Sequence, residues 1–359
     1  LAAQVGGHTG VQTTEDGSLL LKPALQREVA FYQLVRDGAD PGGVVDTSTV
    51  TTSGLSMLLP WIPRFIGLLS LEGRIEDPGD VSGGSAPAGG DGPPKILPAS
   101  GTSTPLQTLV LENLGHGFIK PCILDIKLGT VLYDEGASPE KKERMIRTAE
   151  RTTSLTTGVR LTGFQVYAND HPDPIVTPKA YGKSIKPEQL SEGIARFFPV
   201  HPSSSASSSA PLESTLDSAI SSATVRLGLR STTLLVLLTH LLAGLERLRG
   251  GLAEAEVRIT GGSVLILYEG DWARAEEAAR ILQEELTEDD DEEIEVEVDE
   301  SGQVVFDTAS SDVDTDSDEE EQPRLVTLSL IDFAHTRFVP GQGPDTGVLL
   351  GIDTLIHLV

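Results

Sequence analysis

In the run P-C-I-L-D-I-K-L-G, residues 121–129, two charged side chains stand two apart among apolar ones: Asp125 and Lys127. On a strand that spacing turns both toward one face and leaves Leu124, Ile126 and Leu128 on the other. Burying such a pair is costly unless it has a partner or a task. Taken singly, a D-x-K spacing is the polar face of a surface strand. Far downstream, L-S-L-I-D-F-A-H-T (328–336) sets Asp332 at the end of another apolar run, where a lone Asp would be a turn former. Lys22 closes a third run, L-L-L-K-P (19–23). Together they supply what phosphoryl transfer from ATP asks of a protein: a lysine on the phosphates, a carboxylate on Mg2+, and groups that place the attacking hydroxyl.

The elements that must hold these residues are legible in outline. Alternation and a following proline predict a strand over 18–22 that ends at Lys22, and apolar residues at helical spacing predict a helix over 26–35 with Glu28 near its first turn. Strands are predicted over 106–111, 123–128, 160–167, 263–268 and 325–333, and an amphipathic helix with a leucine face over 232–249. The charged stretch 139–152 reads as a helix. At about 100° per residue, Arg144, Arg147 and Arg151 fall within a sector of roughly 60°, with Lys141 adjoining. Three guanidinium groups on one face suit a multiply phosphorylated ligand, each gripping phosphate oxygens in a fork. Glu140, Glu143 and Glu150 nearby keep a solvated helix face open as the rival reading.

Composition bounds the rest. The 359 residues are 38% apolar and carry a formal charge of −27, enough apolar matter for a sizeable core. Twenty of the acidic residues lie in 284–321, which has no Lys or Arg, leaving about −7 elsewhere. No basic stripe exists to coat nucleic acid, so no direct nucleic-acid partner is expected. Cys122 stands alone, which excludes an internal disulfide framework. The longest apolar run, 234–242, is broken by Thr239 and His240, so no membrane span is expected. Three biased segments read as insertions: Gly/Ser/Pro-rich 77–104, expected to be disordered; 202–211; and the acidic 284–321, expected to self-repel and stay extended over much of its length. Tempting motifs fail. "GKS" at 182–184 lacks the first P-loop glycine, six residues before Lys183, where Thr177 stands, and "DVDTDSDEEEQP" lacks the glycine and final glutamate of a calcium loop. No H-R-D or D-F-G marks an ordinary protein kinase, and the histidines make no zinc site.

"PCILDIKLG" resembles the P-x-x-x-D-x-K-x-G signature of the inositol polyphosphate kinases. "GGHTG" (6–10), "LLLKP" (19–23), "LVLENL" (109–114), "TGVRLTGFQVY" (157–167), "GSVLILYEGD" (262–271) and "LSLIDFAHT" (328–336) follow in the order of the same family, and the likeness is greatest to its fungal multikinases. The resemblance implies an α+β, two-lobed fold akin to protein kinases and ATP-grasp enzymes. It would have an N-terminal lobe with an antiparallel sheet (1–114) and a larger C-terminal lobe (115–359). It implies ATP and Mg2+ as cofactors, and conversion of inositol trisphosphate and tetrakisphosphate to the pentakisphosphate. A hexakisphosphate kinase or a trisphosphate 3-kinase is the alternative. Residue by residue, it places Lys22 on the ATP phosphates, Glu112 and Leu114 at the hinge beside adenine, and Asp125 beside ribose or acceptor. Lys127 would lie between the γ-phosphate and the attacking hydroxyl, Asp332 on Mg2+ with Ser329 nearby, and His335 facing substrate. It also favours ligand binding for Lys141, Arg144, Arg147 and Arg151. By their own residue types Lys183 and Arg160 are weaker candidates for the same ligand, with a structural role as the stronger reading. A second class of function, a nuclear scaffold or transcriptional co-regulator, rests on 284–321, which could hold basic or transcription-factor partners. The implied location is the nucleus, with the cytoplasm beside it.

Overall fold

Two antiparallel sheets carry the fold, and the chain passes from one to the other along 113–120. The structure, a computed structural model, describes residues 10–38, 53–71, 74–75, 96–97, 106–201, 227–291 and 322–359. The expectations for 202–211 and for most of 77–104 and 284–321 lie outside them.

The smaller sheet is built from β1 (Gln12–Thr13), β2 (Leu19–Pro23), β3 (Phe65–Leu71) and, after the short pair β4 (Arg74–Ile75) and β5 (Ile96–Leu97), β6 (Leu106–Glu112). Its order is β1-β2-β6-β3. The β5 strand falls inside the segment read as wholly disordered, so that reading is corrected there: Ile96 and Leu97 pair with Ile75 and Arg74. Between β2 and β3 run α1 (Gln26–Gly38) and the single turn α2 (Ser53–Ser56). The α1 helix buries Glu28, Val29, Phe31, Tyr32 and Val35, the face that its spacing predicts.

The larger part begins with β7 (Pro121–Leu128), α3 (Pro139–Arg151), α4 (Ser154–Thr157), β8 (Val159–Val166) and β9 (Ile175–Thr177). It continues through α5 (Lys179–Ser184), α6 (Leu190–Phe197), α7 (Ser231–Glu254), β10 (Val257–Ile259) and β11 (Ser263–Glu269). The chain closes with α8 (Trp272–Asp291), β12 (Val326–Ile331), β13 (Thr336–Phe338) and α9 (Thr346–Leu358). The main sheet has the order β12-β11-β7-β8-β9, and β10 pairs with β13. One face buries Leu124, Ile126, Leu128, Val264, Ile266 and Leu330 against leucines of α7 and the Val348, Ile352, Leu355 stripe of α9. At roughly 1.5–3 kcal/mol for each fully buried aliphatic side chain, this face is what holds the sheet flat against its helices. Gly158, in the left-handed region at φ 68, lets α9 come close: a Cβ there would stand 2.5 Å from the Gly351 nitrogen.

The α8 helix continues through Glu284 to Asp291, so the first eight residues of the acidic run are helical. The α7 helix, at 24 residues, is long and apolar enough to cross a membrane by length and composition. Its Leu237, Leu241, Leu245 and Leu248 are nevertheless fully buried core residues, and it packs on α2, α8, α9 and β12.

Candidate active site

Cross-strand register decides which side chains share the second face of the main sheet. Asp125 lies opposite Leu265 on β11, and Leu265 opposite Ser329 on β12; Lys127 lies opposite Ser263 on β11 and Arg160 on β8. Directly opposed residues point the same way, so Asp125, Lys127, Arg160, Ser263 and Ser329 form one polar face. That face meets the smaller sheet across an ion cluster.

Lys22, buried near the end of β2, donates to Glu28 Oε1 at 2.8 Å and to Asp332 Oδ1 at 2.9 Å. Lys127 donates to the other oxygen, Asp332 Oδ2, at 2.7 Å and to the Gly261 carbonyl at 3.0 Å. Glu28 Oε1 also accepts the Phe333 amide at 3.2 Å. The Phe333 ring stacks on Phe31, centroids 4.1 Å apart, and meets Tyr32 edge-on. Helix α1 therefore holds both the lysine of β2 and the residue after Asp332. Among described residues Asp332 is the one non-glycine with positive φ, at 67°. A side chain in that region is strained, and here the two lysines on its carboxylate hold it. Burial alone would raise the pKa of Asp332, but Lys127 and Lys22 outweigh it and hold the carboxyl well below the usual carboxylate range. Burial likewise works against Lys22, yet Asp332 and Glu28 leave its pKa raised.

Asp125 differs. It is 4% exposed, its Oδ1 has no hydrogen-bond partner, and burial raises its pKa more than Lys127 lowers it. Lys179, at the start of α5, acts on the same carboxyl. Cys122, on the opposite face of β7, has its thiol pushed up to about 12 by burial.

The other candidates are placed as follows. The Glu112 carboxylate accepts the Arg64 amide at 2.9 Å, so its side chain ties β6 to the start of β3, while half-buried Leu114 lies in the segment between the sheets. Ser329 is buried, and its hydroxyl donates to the Trp61 carbonyl at 3.0 Å. His335 Nδ1 stands 3.5 Å from Asp134 Oδ2, which also takes Arg27 of α1 at 2.6 Å. Lys141, Arg144, Arg147 and Arg151 are all exposed on α3; Arg147 pairs with Glu143, and no described contact joins the four to the ion cluster. Lys183 is exposed on α5.

Sequence reasoning missed Glu28 as a site residue, although an acid on the buried face of an apolar helix is itself a signal. It also missed Glu269, fully buried, whose carboxylate accepts the amides of Ile119 and Lys120 at 2.8 Å and of Asp271 at 2.9 Å. That carboxylate fixes the segment by which the chain enters β7.

Lysines gathered on one carboxylate between a small sheet and a larger α+β body are suited to the charge of a transferring phosphoryl group, which defines the class as a two-lobed phosphotransferase. Comparison with known proteins narrows it. The inositol polyphosphate kinase family profile matches residues 108–359, and the chain belongs to that family. It is 32% identical to the inositol polyphosphate multikinase of Saccharomyces cerevisiae over 100% of this chain and 96% of that protein. It is 30% identical to human inositol hexakisphosphate kinase 1 over 70% of this chain, spanning 51% of that protein. The crystal structure of the S. cerevisiae inositol phosphate multikinase, in complex with ADP and Mn2+, is similar at a TM-score of 0.54 and 28% identity, covering 95% of this chain and 98% of that one.

Proposed function

We propose that the chain is an ATP-dependent inositol polyphosphate multikinase that carries inositol trisphosphate and tetrakisphosphate to the pentakisphosphate. The observation that carries this reading is the convergence of Lys22 and Lys127 on Asp332, in a chain that aligns end to end with a multikinase. In this reading Lys22 meets the ATP phosphates, held by Glu28 in the orientation the strand gives it. Lys127 neutralises charge as the phosphoryl group moves to the acceptor hydroxyl. Asp125, whose buried carboxyl lies two residues away on the same face, orients ribose or acceptor. Leu114 and the backbone at Glu112 border the adenine. His335 and the cations of α3 meet the acceptor's phosphates.

A divalent cation fits the donor set. No group of three His, Cys, Asp or Glu side chains gathers among the described residues, but Mg2+ bound with nucleotide takes most of its ligands from phosphate and water and asks for one or two carboxylates. Asp332 supplies one. The Ser329 hydroxyl gives its proton to the Trp61 carbonyl, which leaves its oxygen lone pairs as a second, neutral donor. When bound, the metal would supply positive charge that offsets that of the phosphates.

The test is turnover of purified protein with Mg-ATP and inositol 1,4,5-trisphosphate. Stepwise conversion to the pentakisphosphate, lost in folded Lys127→Ala, is the expected result. Conversion of the hexakisphosphate instead would favour the alternative acceptor, and failure with both would overturn the reading. The acidic run stands outside this chemistry, as a segment for basic partners in the nucleus; deletion of 292–321 should leave turnover intact, and its loss in a folded deletion would show otherwise.

A further inference from the structure

Strand β8 does not keep step with β7. Gly163 lies opposite Asp125, yet Leu161, not Thr162, lies opposite Ile126, so Thr162 is an extra residue in a bulge. The bulge inverts the alternation beyond it. Without it, Leu161 would face Lys127 on the polar side and Arg160 would point into the core. With it, Leu161 is buried at 1% exposure among core residues, and Arg160 stands directly opposite Lys127. A one-residue insertion in a regular ladder thus moves a guanidinium onto the reacting face.

That guanidinium is conspicuous in a second way. Of the described arginines that are not exposed, Arg249, Arg258, Arg274 and Arg337 are each held by a carboxylate or a backbone carbonyl. Arg160 has no hydrogen bond or ion pair among the described residues. Burial pulls its pKa below the ordinary arginine value, and the attraction of Asp125 does not restore it. Beside it, Asp125 Oδ1 and Thr162 Oγ1 are buried without partners. A half-buried guanidinium whose N–H groups have no acceptor is expensive in a folded protein unless an anion arrives from outside.

We propose that Arg160 is an acceptor-binding residue, which grips a phosphate of the inositol phosphate next to the hydroxyl that Lys127 serves. The inference rests on the kinase reading above. Arg160 lies on the β8 side of Lys127, whereas Ser263 and Asp332 occupy the β11 and β12 side, so its anion belongs to the acceptor rather than to the nucleotide. Its fork would fix the ring's orientation, and hence which hydroxyl is presented.

The experiment compares wild type with Arg160→Gln and Arg160→Lys, after circular dichroism and urea midpoints have established that each is folded. KM is measured separately for ATP and for inositol 1,4,5-trisphosphate. Loss of a charge-assisted contact should raise acceptor KM about 10- to 100-fold in Arg160→Gln, with ATP KM within about twofold and partial recovery in Arg160→Lys. An unchanged acceptor KM in folded Arg160→Gln overturns the proposal, as does a rise confined to ATP. If wild type phosphorylates no inositol phosphate, the kinase reading itself fails. A thermal shift with inositol hexakisphosphate, run on the same variants without ATP, then decides whether Arg160 binds that ligand at all: a shift lost in Arg160→Gln keeps the binding role, and an equal shift removes it.

Discussion

Asp332 combines two properties that substitution can separate, a charge shared by two lysines and a backbone at φ 67. Asn keeps the size and tolerates positive φ but loses the charge; Ala loses the charge and fits the backbone poorly. Breaking a buried ion pair costs about 3–5 kcal/mol, and because Lys22 keeps Glu28 the lower end applies, so Asp332→Asn should lose about 3 kcal/mol. Asp332→Ala should lie about 1 kcal/mol lower still, because Asp and Asn offset the strain of the left-handed region with local side-chain hydrogen bonds that Ala lacks. Urea unfolding at neutral pH reads both steps. Acid reads the charge alone. In the unfolded chain an Asp takes up its proton near pH 4, whereas folded Asp332 keeps its charge to well below that. Its contribution is therefore complete above the unfolded pKa and is lost as pH falls toward the folded one. The gap between wild type and Asp332→Asn should be constant from pH 5 to 7 and narrow below pH 4. Equal midpoints at pH 7 would refute the ion-cluster argument, and equal Asn and Ala variants would refute the backbone argument.

Glu28→Gln removes one of two anions on Lys22, and should raise KM for ATP about tenfold while leaving acceptor KM within about twofold; steady-state kinetics with each substrate varied in turn checks it. Glu269→Gln keeps one acceptor oxygen for amides that now share a carboxylate, and should lose about 1.5–3 kcal/mol in urea. Hydrogen exchange should accelerate first at Ile119 and Lys120.

The strands that bear Lys22, Asp125 and Lys127 were legible because each is a short apolar run with a charge out of phase, and the structure differs from the expected bounds by a residue or two. The predicted strand 325–333 is shorter as built, ending at Ile331, because Asp332 leaves the ladder with positive φ. Glu28 could be placed on a helix but not beside Lys22, since that contact depends on the turn between β2 and α1. Arg160 was the least legible. Simple alternation from Gln165 and Gly163 puts it on the core side, and only the extra residue at Thr162, visible when β8 is laid against β7, returns it to the other face. The arginine helix was legible as an element, while its relation to the ion cluster is not a property of its own periodicity.

The way α2 and the turn after it are packed bears on how the protein comes apart. Leu55, Leu58 and Ile62 precede the change of sheet at 113–120, yet they belong to the same buried cluster as Leu245, Leu248 and Leu252 of α7. Gly54 approaches α7 so closely that a Cβ there would run into the Glu254 carbonyl. The core is thus continuous across a molecule with two sheets. Two lobes in outline are one unit in cooperativity: heat should melt them in a single transition, and a cut at the sheet change would expose leucines on both products.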